Sequence, residues 1–311
     1  MDLRQSGTRK RTTFKRLLPL YLMLIPGIIY LFINNYIPMA GIVVAFKKYN
    51  ANDGLFFSPW VGLRNFQFLF GTKDAWVIIR NTLGYNLVFL IMNTFGGILL
   101  AIMISDVARK RLKKMYQSAV LLPFLVSIVV VSYIVFAFLS HQNGMLNNSI
   151  LPSLGREPVQ WYNDTSWWPG IIVFVNTWKT IGYGTLIFIA GIAGIDPSFY
   201  EAADLDGANK WQQIKYITLP CLTPAITTLI LLGIGRIFYS DFGLFYQIPQ
   251  NSGSLFPVTN TIDTYVYRAL ITSGSVSRSS AAGVFQSLVG FVLVMTSNVI
   301  VRKINPENAI F

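Results

Sequence analysis

Charge is scarce in this 311-residue chain. Only 12% of its residues are Asp, Glu, Lys or Arg, whereas a soluble domain carries about 25%. So little charge cannot clothe a water-soluble globule. With 53% hydrophobic residues and a mean hydropathy of +0.51, lipid is the expected solvent for much of the surface. Cysteine and histidine are nearly absent, with Cys221 and His141 the sole examples. That excludes an intrachain disulfide and a Cys/His metal cluster. Cys221 lies in an apolar run and reads as a small packed hydrophobe. No Gly-x-x-x-x-Gly-Lys-Ser/Thr phosphate loop occurs, so the chain cannot bind ATP by that route. The long apolar runs hold no Asp or Glu. A membrane enzyme with paired carboxylates then lacks its usual constellation. The alternative of an ion-gradient-driven secondary transporter or channel lacks its expected intramembrane acids.

What is present is a series of apolar runs. A spanning helix needs about 20 mostly apolar residues, and six segments qualify: Leu17–Pro38, Trp76–Ser105, Met115–Ser140, Trp167–Ile195, Leu219–Ser240 and Ser280–Val301. The first uncharged stretch continues to Phe46, but Pro38 disfavours a helix running through it and marks the expected end. The expected fold is therefore all-α, with a basic tail over 1–16, a six-helix membrane domain over 17–301 and a short tail over 302–311. The basic stretch before the first span lacks the short apolar core and small-residue cleavage site of a secretory signal.

The net charge of +12 would suggest nucleic acid in a soluble protein. Here the cations lie between apolar runs, so they set topology instead. Fifteen Lys and Arg fall in the N-tail, the 105–117 and 195–218 loops and the C-tail, against seven in the loops on the other side. Both termini are therefore expected in the cytoplasm. Trp161, Tyr162, Trp167 and Trp168 fit an interfacial aromatic belt.

The loop between the fourth and fifth spans, 195–220, is the informative one. Asp196 followed by Pro197 makes a helix start, and Glu201, Ala202 and Ala203 favour helix. Gly207 can stop that helix in a left-handed conformation. Asn209 can cap a second short helix reaching about Tyr216, with Pro220 opening the fifth span. Phe199, Tyr200, Leu205 and Trp211 supply apolar anchors, the alanines permit close approach, and Glu201, Asp204 and Asp206 add acid to an otherwise basic face. That combination suits a docking knob, although an ordinary connecting loop explains it equally well.

The spacing of the same residues resembles a known pattern. Glu201-Ala202-Ala203, Gly207, Ile217 and Leu219-Pro220 fill every position of the EAA motif of permease subunits of binding-protein-dependent ABC importers. The Trp178-Lys179 pair, the Phe199-Tyr200 step and the Asp263–Arg268 run resemble the polysaccharide-type carbohydrate permeases of the maltose-permease-like family. The resemblance covers about Arg11 to Phe311. It implies a type I ABC importer permease with cytoplasmic coupling helices in a bacterial inner (cytoplasmic) membrane. Its implied partners are a second permease that pairs with this one as a heterodimer, an ATPase dimer that binds ATP and Mg, and an external substrate-binding protein delivering a carbohydrate. This chain itself would bind no cofactor and catalyse nothing. Glu201, Ala202, Ala203, Asp206, Gly207, Ile217, Leu219 and Pro220 would form the ATPase-coupling loop, with Glu201 meeting a basic ATPase residue and Gly207 permitting the turn.

Polar and aromatic residues within the spans are the candidates for the substrate path: Asn86, Asn93, Tyr133, Asn176, Trp178 and Tyr239. Aromatic faces stack on sugar rings and amides bond hydroxyls, but the same residues also tie helices together. Lys179 and Arg236 stand out because charge inside a span is costly. Three accounts are open for them: an acidic, uronate-bearing substrate, snorkelling to an interface, and an ion pair with the second permease. The resemblance of the Trp-Lys pair to a family feature favours the last two.

Overall fold

The computed structural model describes residues 6–71, 73–304, 306 and 309. Residues 1–5 of the basic tail, and 305, 307, 308, 310 and 311 of the C-terminal tail, lie outside the described residues. Helices dominate among those described, with one isolated β-bridge between Lys47 and Trp60. Among the described residues, five helices are long and apolar enough to cross a membrane, and a bent pair brings the number to six. Two compact units divide the chain, 1–67 with 275–284 and 68–274 with 285–311.

In the first unit the helix Ser6–Leu31 passes through a π-turn, Phe32–Tyr36, into Ile37–Met39 and a 3-10 stretch, Ala40–Phe46. The span is Leu17–Phe46, so Pro38 does not end it as expected, and the basic tail is helical from Ser6 onward. The π-turn explains why. Proline lacks an N–H and its ring clashes with the carbonyl four residues back. Widening the pairing so that Ile37 N–H reaches the Phe32 carbonyl lets the helix continue past that clash. The segment after the span is tied down by Lys47, whose Nζ donates to the carbonyls of Leu55 at 3.0 Å and Phe56 at 2.7 Å. Asn65 donates to the carbonyls of Ala45 and Lys47.

The second unit is built on the second span, Lys73–Ser105, packed along the fourth, Trp168–Ala193. The third span is not one helix over Met115–Ser140. It is Lys110–Leu125 and Ile128–Leu139, meeting at 92°. Pro123 lies in the last turn of the first half, Val126 turns to extended backbone, and Ser127 caps the second half by accepting from Val130 N–H. The first half lies so close to Gly182 that a Cβ there would stand 2.0 Å from the Val120 carbonyl oxygen. Only glycine permits that approach of two backbones.

The fifth span runs Lys210–Gly235, so the expected short helix to Tyr216 is the span's own first turns. A π-turn, Ile214–Thr218, precedes Pro220 as another precedes Pro38, with Leu219 N–H on the Ile214 carbonyl. The sixth helix is Val276–Ile304. Trp161 and Trp168 are buried, unlike Trp167, and so do not form an interfacial belt. Each indole N–H has an internal acceptor, Asn147 Oδ1 for Trp161 and the Trp161 carbonyl for Trp168, which removes the penalty for burying it.

Candidate functional site

Two sites emerge, a projecting knuckle and a polar pocket. The knuckle helix is Pro197–Leu205. Asp196 caps it, its carboxylate accepting from Ser198 N–H at 2.9 Å. That backbone bond to Ser198 holds the exposed Asp196 carboxyl below the usual carboxylate range. The helix ends in a Schellman arrangement. Gly207 takes φ +76, Gly207 N–H donates to the Asp204 carbonyl, and Ala208 N–H reaches back to Ala203 at 2.9 Å. Asn209 and Gln212 then form a reciprocal capping box.

Two braces lock this turn. Buried Gln213 donates to the Asp204 carboxylate, and Tyr200 Oη pairs with Thr218 Oγ1 at 2.9 Å. A solvent-exposed pair, Lys210 Nζ to Asp106 Oδ1 at 3.6 Å, adds at most about 1 kcal/mol. On this rigid frame Leu205 is 91% and Trp211 79% exposed, beside exposed Glu201, Ala202 and Asp206. Ala203 is half-buried. Ile217, Leu219 and Pro220 lie apart from this surface, in the π-turn and first turn of the fifth span. The braces through Tyr200, Gln213 and Thr218 have no local signature and were not expected.

The pocket has a volume of about 490 Å³ and lies between the second, fourth and fifth spans. Of the sequence candidates it gathers Asn86, Asn93, Arg236 and Tyr239, and it adds Thr180, Tyr183 and Asp241. Asn86 spends its Nδ2 on the carbonyls of Thr82, Ile237 and Tyr239, so it also fastens the second span to the end of the fifth. Asn93 Oδ1 accepts from Thr180 Oγ1 at 3.1 Å, and Tyr239 Oη pairs with Ser287 Oγ at 2.7 Å.

Four candidates fall elsewhere. Asn176 is buried one turn before Thr180, and Tyr133 is exposed on the second half of the broken span. Trp178 lines a separate apolar groove with Val131, Phe138 and Phe174. Lys179 turns to the break in the third span, where Nζ donates to the carbonyls of Pro123 at 3.5 Å, Phe124 at 3.1 Å and Val126. A helix end leaves carbonyls without partners, and an ammonium has three donors to give them. Thr180, Tyr183 and Gly184 follow Asn176 at helical spacing, and that periodicity was the available signal for the missed pocket residues.

Residues 93–307, from the middle of the second span to the end of the sixth, match the family model described as "Binding-protein-dependent transport system inner membrane component". The chain belongs to this family of importer permeases. Among curated relatives of this permease is the protein LplB of Bacillus subtilis (strain 168), 35% identical over 93% of this chain and 90% of its own. Another, from the same organism, is the polygalacturonan/rhamnogalacturonan transport system permease protein YteP, 34% identical over 93% of this chain and 89% of its own. Among solved structures, a chain of a bacterial ABC transporter involved in import of the acidic polysaccharide alginate superposes with a TM-score of 0.85. It is 34% identical, covering 96% of this permease and 99% of that chain. A chain of a bacterial alginate ABC transporter in complex with an alginate-pentasaccharide-bound periplasmic protein superposes with a TM-score of 0.84. The permease is therefore an all-α multi-pass membrane protein of ABC importer type, and a gradient-driven mechanism has no support.

Proposed function

We propose that this permease forms half of the membrane path of an ATP-driven importer for oligosaccharides or polysaccharide fragments. A second permease supplies the other half, an external binding protein delivers the sugar, and an ATPase dimer drives the cycle. Both termini face the cytoplasm with the knuckle. ATP and Mg belong to the ATPase partners, and this chain binds no cofactor. The relatives' named cargoes and the sugar-compatible pocket support the choice of substrate.

One observation carries the coupling role: the exposed Glu201–Gly207 turn stands on a frame braced by Gln213 and Tyr200. A braced projection transmits a push as a rigid body instead of absorbing it by bending. When the ATPases close, the knuckle moves with them. Its motion passes directly to the fifth span, because knuckle and span join through a continuous helix from Lys210.

The test is reconstitution with the partner permease, ATPase and binding protein. Glu201→Lys is expected to leave the permease in the membrane while abolishing sugar-stimulated ATP hydrolysis and uptake. Normal uptake by that variant would remove the coupling role.

A further inference from the structure

The pocket contains a cation that the fold does not use. Arg236 ends the helix of the fifth span and lines the pocket. Its guanidinium carries five donors in a planar fork. Among the described residues no hydrogen bond, ion pair or ring contact engages it. The helix's C-terminal end supplies only a fraction of a negative charge.

Neither Asp263 nor Asp241 pairs with it. Asp263 Oδ2 accepts from Ser240 N–H and Oγ at 2.7 Å and from Gln286. Asp241 shares the pocket, but its Oδ1 caps the helix Phe242–Gln247 through Leu244 N–H at 3.0 Å, and it forms no ion pair with Arg236. Two further span cations are spent on internal acceptors, Lys179 on three carbonyls and Arg80 on Asn81 Oδ1 and the Pro257 carbonyl.

Resting on the oligosaccharide reading above, we infer that Arg236 binds a carboxylate of the transported sugar, so that the cargo is a uronate-bearing oligosaccharide. A guanidinium fork matches a carboxylate in two parallel hydrogen bonds. The pocket's remaining groups suit the rest of an acidic sugar. Asn93, Thr180 and the second oxygen of Asp241 face hydroxyls, and the rings of Tyr183 and Tyr239 offer stacking faces. Opposite charges at Arg236 and Asp241 orient each unit, with its carboxylate toward the arginine and its hydroxyl donors toward the aspartate.

The test uses the complete reconstituted importer with a uronate oligosaccharide and its carboxyl-reduced neutral counterpart of equal length. Arg236→Gln is expected to lower the uronate-to-neutral uptake ratio about tenfold, the scale of one lost charged hydrogen bond, while Arg236→Lys retains most of it. Equal losses for both sugars, or for both variants where only the charged sugar is delivered, would overturn the inference. So would failure of Arg236→Gln to co-purify with the second permease, which would make Arg236 a subunit contact. Wild-type uptake of neutral sugar alone overturns the carboxylate reading and leaves the oligosaccharide reading intact. Wild-type uptake of neither would instead overturn the latter.

Discussion

The break in the third span and the pocket beside it treat cations in opposite ways. At the break, Lys179 gives its ammonium to the carbonyls of Phe124 and Val126, and shares the Pro123 carbonyl with the capping Val126 N–H. In the pocket, Arg236 gives none of its five to any described residue. Both interrupt apolar sequence, and both invite the same functional reading. The difference shows that a costly intramembrane charge points to a ligand only after its internal partners are counted. A saturated cation maintains the fold, whereas an open one is left for something else.

The comparison predicts a graded set of stability losses. Lys179→Met strands the Phe124 and Val126 carbonyls at the break. Each hydrogen bond to a charged group contributes about 1.5–3 kcal/mol, so the variant is expected to lose at least about 3 kcal/mol. Thermal unfolding of the detergent-solubilised permease measures this, and an unchanged Tm would erase the distinction. Gly207→Val comes next. Forcing a β-branched residue into φ +76 costs roughly 1–3 kcal/mol, read as faster proteolysis across 196–213 while the spans stay protected. Gln213→Leu removes the brace on Asp204 and is expected to cost about 1 kcal/mol, with ATPase stimulation reduced while the subunits still co-purify. Arg236→Gln is expected to be the mildest, within about 0.5 kcal/mol of wild type. A large drop in its Tm would mean that the guanidinium is structural and would align it with Lys179.

Sequence reasoning reached the knuckle more fully than the pocket, for a physical reason. The knuckle is made of local bonds: an aspartate cap, a proline, a left-handed glycine and a capping box, all within seventeen residues from Asp196 to Gln212. Such bonds leave signatures at fixed offsets. The pocket is made of side chains from three spans far apart in sequence, and hydropathy does not report which face of a helix meets which neighbour. Trp178 and Thr180 are two residues apart, about 200° around the helix, and only Thr180 faces the pocket.

The broken third span failed for a related reason. Its composition stays apolar from Met115 to Ser140, and the lysine that services the break lies more than fifty residues away. Pro38 reads as a stop in the sequence because the clash of its ring is local, while the π-turn that relieves it is a property of the whole turn before it. Trp161 and Trp168 looked like belt residues until their acceptors, Asn147 and the Trp161 carbonyl, were in place.

The central claim is that the knuckle is the permease's grip on its motor. Replacing Ala202 with cysteine and pairing it with single cysteines placed along the groove of the ATPase partner tests this directly in membrane vesicles. The account predicts rapid disulfide formation that blocks uptake and is reversed by reductant. No cross-link at any groove position, in a complex that still transports, would contradict it.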